Sequence, residues 1–148
     1  MDKVDKDILE LIRFNARISY KDMSERVFLS ANAVSERVRH LQEQGVILGY
    51  DTRLNLHALG LSLIAIIDVK LSLGTTADAF EAALKSIAGI VEATLMTGSF
   101  DYMLRVACRD QDALVRITED LRARGGVQET YTRLLLRSTN LKGRLMGG

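Results

Sequence analysis

The residues best equipped to act on another molecule lie between Ser30 and Gln44. On a helical wheel of about 100° per residue, Val34, Val38 and Leu41 share one narrow sector, and Asn32, Glu36, Arg39 and Glu43 lie opposite, flanked by Ser35 and His40. Amide, guanidinium, carboxylate and hydroxyl groups on one face match the donors and acceptors that base edges present in a major groove. The same face also suits plain solvation, as on most surface helices. Between Arg13 and Arg39 stand six Lys or Arg against Asp22, Glu25 and Glu36. That local excess favours phosphate contact and salt-dependent binding. Over residues 1 to 60, nine basic and nine acidic side chains cancel. One copy alone is therefore expected to bind weakly, and two copies on a two-fold operator far better.

Other chemistry is poorly supplied. Cys108 is the single cysteine, so neither an internal disulfide nor a cysteine-based metal cluster is possible. The two histidines, His40 and His57, are not at a ligand spacing, and no nucleophile and base stand together. No metal and no cofactor are expected. The chain has 148 residues, a net charge of +1, 47% hydrophobic and 26% charged residues, the composition of an ordinary folded protein of one large or two small domains. No apolar run approaches the ~20 residues that span a bilayer, and the opening Met1-Asp-Lys-Val-Asp-Lys is too polar for a signal peptide. A reducing cytoplasm and no membrane partner are expected.

Helices must position the polar face. Apolar spacing predicts three of them, roughly 5 to 15, 19 to 27 and 30 to 44. Asp5 is expected to cap the first, Ser19 with Asp22 to form a capping box on the second, and Ser30 to open the third. Ile18 with Met23 and Leu29 with Val34 stand as hydrophobic staples, and Gly45 closes the third helix. Only Phe28 and Leu29 separate the second from the third, too short a link for side-by-side packing, so a sharply angled helix-turn-helix follows.

From Leu61 the texture changes to period-2 runs alternating with helices. Strands are expected over Ser62–Leu73, Ile90–Thr97, Tyr102–Arg109 and Val127–Leu136. One helix lies behind a Thr75-to-Asp78 capping box, with Phe80, Leu84 and Ile87 inward. The other begins at Asp110, with Leu114, Ile117 and Leu121 inward, and ends in Arg122, Arg124 and Gly125-Gly126. This βαββαβ order predicts an antiparallel sheet with both helices on one face, so the fold class is α+β with a ferredoxin-like second half. The uncovered face, or the sheet edge, is expected to pair with another copy.

Asp5-Lys-Asp-Ile-Leu-Glu-Leu-Ile, Ala16-Arg-Ile-Ser, Leu29-Ser-Ala-Asn-Ala-Val-Ser-Glu-Arg-Val-Arg-His-Leu, Gln44-Gly-Val-Ile-Leu-Gly-Tyr and Thr97-Gly-Ser-Phe-Asp-Tyr-Met-Leu together resemble the Lrp/AsnC, or feast/famine, family of transcription regulators. The resemblance spans essentially the whole chain. It implies a winged helix-turn-helix DNA-binding domain over 1–49, a linking strand or hinge over 50–60, and a dimerising, effector-binding domain over 61–148. It also implies a double-stranded DNA partner, an effector that is commonly an amino acid, and homodimers that assemble further, often into octamers. Ser30, Asn32, Ser35, Glu36, Arg37, Arg39 and His40 become the candidate DNA contacts. By the family's pattern the loop at Gly98, Ser99, Asp101 and Tyr102 lines the effector site, Asp101 for an ammonium group and backbone amides for a carboxylate. Thr130 and Thr132 on the last strand are further candidates. By itself that loop reads as a plain hairpin tip, and the threonines as ordinary strand residues.

Some residues depart from the family pattern. Phe28 stands where many relatives carry glycine, and a positive φ there would cost a bulky residue ~1–2 kcal/mol. Ala31 and Ala88 replace frequent prolines in a chain that has none. Met96, Phe100 and Met103 suit an apolar amino acid, whereas Glu119 and Asp120 suit a basic one. Two rivals stand beside the regulator. One is a haem-biosynthesis decarboxylase of similar fold, disfavoured because no histidine follows His57. The other is an amino-acid sensor without DNA binding, disfavoured because Ser35, Arg37 and Arg39 remain in place.

Overall fold

A computed structural model describes residues 1–146. Two compact units divide the chain, Met1–Arg53 together with the chain from Thr139, and Leu54–Ser138.

The first unit holds α1 (Lys3–Phe14), α2 (Tyr20–Val27) and α3 (Ala31–Glu43). Each start is set by a side chain that accepts an otherwise unpaired helical N–H. Ser19 accepts from the Asp22 amide at 3.0 Å and Ser30 from the Ala33 amide at 3.1 Å, as the sequence predicts. At α1 the cap is Asp2 rather than Asp5. Its Oδ1 accepts from the Asp5 amide at 2.9 Å, and Asp5 Oδ2 accepts from the Asp2 amide at 3.4 Å. The motif is a reciprocal capping box in which Asp5 occupies the third helical position, so α1 starts two residues early. Ile8, Met23, Val34 and Val38 form the buried core, with Ile18, Leu29 and Ile47 packed against it.

Phe28 ends α2 in the left-handed conformation, φ 59° and ψ 41°, with its ring 90% exposed. The ring therefore gains little packing in return for its backbone strain. Phe28→Gly should raise the stability of this unit by about 0.5–1 kcal/mol, the relieved ~1–2 kcal/mol less the ~0.5–1 kcal/mol entropic cost of glycine. Thermal denaturation of the two proteins measures it.

In the second unit a four-stranded antiparallel sheet has the order β2-β3-β1-β4, from β1 (Leu63–Leu71), β2 (Ile90–Leu95), β3 (Tyr102–Cys108) and β4 (Val127–Leu134). Helices α4 (Ala77–Leu84) and α5 (Gln111–Arg124) complete the βαββαβ order. Ile67 lies opposite Leu104 on β3 and Thr132 on β4, and Val69 opposite Tyr102 and Thr130. These residues share the face on which Phe80, Leu84, Leu114, Ile117 and Leu121 pack. Central β1 is buried without a break from Ala65 to Val69, Asp68 included. Asp68 accepts two hydrogen bonds from Arg133 Nη2, at 2.9 and 3.1 Å, which satisfies a carboxylate in the middle of the sheet.

Local expectations fail at three further places. Thr76, not Thr75, caps α4 by accepting from the Ala79 amide at 3.1 Å, and Thr75 donates instead to the Gly126 carbonyl at 3.2 Å. The linking strand expected within 50–60 finds no ladder partner among the described residues, and a lone strand has no acceptor for its amides. Only a 3₁₀ turn, His57–Leu59, is regular there. The boundary at the C-terminus also differs, because residues 139–146 join the helical unit. Their anchor is Glu10, buried on α1, whose Oε1 accepts from the Leu145 and Met146 amides at 3.0 and 3.2 Å and whose Oε2 meets Arg13 at 3.2 Å.

Burial works to raise the pKa of Glu10, but the Met146 and Leu145 amides and the Arg13 guanidinium outweigh it, and the carboxyl sits below its usual range. A carboxylate held below its ordinary value adds stability at neutral pH and loses it as the pH falls through the lowered value. Acidification should therefore lower the urea midpoint of the helical unit more in the native protein than in Glu10→Gln, read from paired titrations at pH 7 and pH 3.

Candidate functional site

The polar face of α3 has the composition that the wheel predicts. Val34, Val38 and Leu41 are buried, whereas Asn32, Glu36, Arg39 and His40 are exposed and Ser35 half-buried. Arg39 lies between two carboxylates: Nη2 donates to Glu36 at 2.7 Å and Nη1 to Glu43. Hydrogen bonding from Arg39 lowers the Glu36 pKa. These are open surface pairs, which salt and a competing acceptor displace at small cost. His40 Nε2 lies 3.1 Å from the Gln44 side-chain nitrogen. Glu36 and Arg39, i and i+3 on the helix, thus form an exposed donor and acceptor pair on the face that a groove would meet.

Two candidates are committed elsewhere. Arg37 reaches back to the start of α1, donating to Asp2 at 2.8 and 2.9 Å and to Asp5 at 3.0 Å. Its hydrogen bond holds the Asp2 carboxyl below the usual range. That ion pair ties α3 to the first turn of α1. Ser30 Oγ is occupied as the α3 cap, leaving its hydroxyl hydrogen and the free amides of the first helical turn for an anion. Sequence reasoning missed the α1 contact of Arg37 because the two ends lie more than thirty positions apart.

At the other candidate site, the loop between β2 and β3 is pinned at its base. Met96 N–H donates to the Asp101 carbonyl and Asp101 N–H to the Val69 carbonyl, both at 2.8 Å. Asp101 Oδ2 accepts from the Leu71 amide at 2.8 Å. Gly98, at φ 111°, takes a backbone conformation that a side chain would oppose. Gly98 and Ser99 are exposed and Asp101 half-buried. Tyr102 differs from its neighbours in the loop. It is wholly buried, its ring 4.7 Å from that of Phe80, and its hydroxyl donates to Glu81 at 2.7 Å. Burial and that acidic partner push its phenol up to about 12. Thr130 is half-buried and Thr132 exposed, both across β1 from the loop-bearing strand. Two strand spacings put them roughly 10 Å from the end of β3.

Sequence reasoning passed over Tyr131. Its ring stacks on that of Phe100 with centroids 6.4 Å apart, tying the loop to β4 on the uncovered face of the sheet. The alternation of β4 carried that signal, since Tyr131 and Arg133 point opposite to Thr130 and Thr132. Cys108 is buried, and burial raises its thiol pKa, with Asp110 adding to the effect. Such a thiol is a poor nucleophile. Among the described residues no cluster of His, Cys, Asp or Glu could hold a metal, and no helix is long and apolar enough to cross a membrane.

A capped helix-turn-helix joined to a βαββαβ unit is the architecture of a DNA-binding regulator that carries its own ligand-binding domain. Residues 1–47 match the winged helix-turn-helix DNA-binding family and residues 64–145 the Lrp/AsnC ligand binding domain. The chain belongs to the Lrp/AsnC family of transcription regulators. It is 34% identical to the leucine-responsive regulatory proteins of Salmonella typhimurium and of Escherichia coli K12, over 99% of this chain and 91% of each relative. Among solved structures, a transcriptional regulator from Neisseria meningitidis in complex with L-methionine superposes with a TM-score of 0.89 at 27% identity, over 99% of this chain and 96% of that one. A feast or famine regulatory protein from M. tuberculosis, complexed with L-methionine, gives 0.87 at 26% identity and covers 94% of both chains.

Proposed function

We propose that the protein is a cytoplasmic, sequence-specific regulator of transcription that reads duplex DNA through α3 and changes its assembly or DNA affinity when an amino acid binds. One observation carries this reading: the face holding Asn32, Glu36 and Arg39 is exposed while the opposite face of the same helix forms the core. Asn32, Ser35, Glu36, Arg39 and His40 make the base and phosphate contacts, Ser30 contributes the open end of α3, and Arg37 positions the helix through Asp2 and Asp5.

The effector is an amino acid with an apolar side chain, in keeping with the methionine complexes of the two structural relatives. The amides of Gly98 and Ser99 receive its carboxylate. The Asp101 oxygen left free by the Leu71 amide accepts from its ammonium group. Tyr102, its hydroxyl already committed to Glu81, braces the loop from behind. Thr130 and Thr132 complete the pocket, with a second copy supplying the remaining wall. Dimers form through the uncovered sheet face that carries Ile66, Met103 and Tyr131, and assemble further into an octamer. Cys108 takes no nucleophilic part in this role, for its thiol is buried and its pKa raised.

The test of the effector is a thermal-shift screen of the twenty amino acids with sizing by light scattering. At 100-fold excess over its dissociation constant a specific binder should add ~2.7 kcal/mol of stability. Gly98→Val should abolish that gain. If no amino acid shifts the melting temperature or the assembly size, the amino-acid effector is wrong.

A further inference from the structure

A cavity of the second unit lies away from the 97–102 loop. It has a volume of about 520 Å³ and sits where the Cys108 end of β3 meets α5 and the turn before β2. β3 has its Tyr102 end at the loop and its Cys108 end at the cavity, a separation of roughly 20 Å along an extended strand. Small residues leave the space open: Ala88, Gly89, Ala107 and Ala113 line it, and Ile117 and Leu61 add apolar wall. Gly89 is required at φ 94°, since a Cβ there would lie 2.9 Å from Ile117 Cδ1 and 3.1 Å from the Ala107 carbonyl.

Three charged side chains line the mouth, Arg109, Arg116 and Asp120. Asp120, the single acid among them, is engaged by Arg124 at 2.9 Å. Among the described residues the Arg109 guanidinium meets only Asp110, loosely, with Nε 3.8 Å from Oδ2. Arg116 makes no ion pair among the described residues. The cavity therefore offers an apolar lining, two available guanidinium groups and one carboxylate that is already paired with Arg124, so its charge favours an anion.

We propose that this cavity binds a small carboxylate with an apolar body and no amino group, such as a short fatty or arylacetic acid, at a second site separate from the loop. Size and lining suit such a ligand, and guanidinium groups bind a carboxylate through paired, charge-assisted hydrogen bonds. An amino acid fits less well, because two guanidinium groups without a close carboxylate partner, beside one carboxylate already paired with Arg124, favour a net anion over a zwitterion. The two sites would thus read different chemistry, an amino acid at one and its amine-free carbon skeleton at the other.

Calorimetric titration with 4-methylpentanoate, hexanoate and phenylacetate, and separately with L-leucine and L-methionine, tests the proposal on the full-length protein. At least one amine-free acid should bind, and an amino acid saturating the loop should not displace it. Arg109→Ala and Arg116→Ala should each weaken binding roughly tenfold or more. Ala88→Leu, at an exposed position, should fill the floor and abolish binding without lowering the melting temperature. The proposal is overturned if none of the three acids binds, if both arginine variants bind as the native protein does, or if an amino acid competes with the acid.

Discussion

Arg39→Ala should weaken binding to a specific operator roughly 5- to 150-fold, the discrimination that one bidentate arginine–guanine contact supplies. The effect should exceed the loss on random duplex, because phosphate contacts made by other residues are kept. The Glu36 and Glu43 carboxylates that hold Arg39 in the free protein are exposed, and exchanging such pairs for a guanine edge costs little. Glu43→Gln provides the opposing control. It releases one guanidinium nitrogen and removes a charge that repels phosphate, so it should tighten binding and steepen its dependence on salt. Anisotropy titrations at two salt concentrations give both results, and equal affinity and sequence preference for Arg39→Ala and the native protein would remove Arg39 from the reading face.

Ile8→Ala should be more damaging still, at about 2–5 kcal/mol. Ile8 is fully buried among Met23, Val34 and Val38, a core with few other members. At ~0.05–0.15 kcal/mol per residue, a unit of about sixty residues has only ~3–9 kcal/mol in total. The variant should therefore lose DNA binding through unfolding of the helical unit. The second unit has a separate core around Phe80, Ile67 and Leu104, so amino-acid binding should survive. A denaturation curve that splits into two transitions, the earlier one abolished or shifted, distinguishes this result from a direct effect on DNA contact.

Elements governed by short-range patterns were legible in the sequence. The i, i+4, i+7 run of Val34, Val38 and Leu41 placed the α3 core face, and the caps at Ser19, Ser30 and Asp110 fixed helix starts because a cap acts over three residues. Where two acceptors compete within one helical turn, as Thr75 does with Thr76 and Asp5 with Asp2, pattern alone could not choose between them. At α4 the choice follows from a partner distant in sequence, Gly126 for Thr75, whereas at α1 both aspartates belong to one reciprocal capping box and both meet Arg37. Arg37 and Tyr102 show the same limit at the candidate sites. Each stands at a position that suggested contact with a ligand, and each is committed to a carboxylate 21 to 35 positions away. The burial of Glu10 could not be read, since only Arg13 among its partners is near in sequence and the others are amides some 135 positions away.

The discontinuity of the helical unit bears on how the protein can be cut into parts. Residues 139–146 belong with the first fifty-three, so a fragment ending near the hinge lacks both amide donors that satisfy Glu10 and leaves that carboxylate short of partners. Such a fragment should melt earlier than its counterpart with the terminal peptide restored in trans. Conversely, a protease nick between the units should leave the severed halves associated, held by the peptide that runs from the sheet back to the first helix.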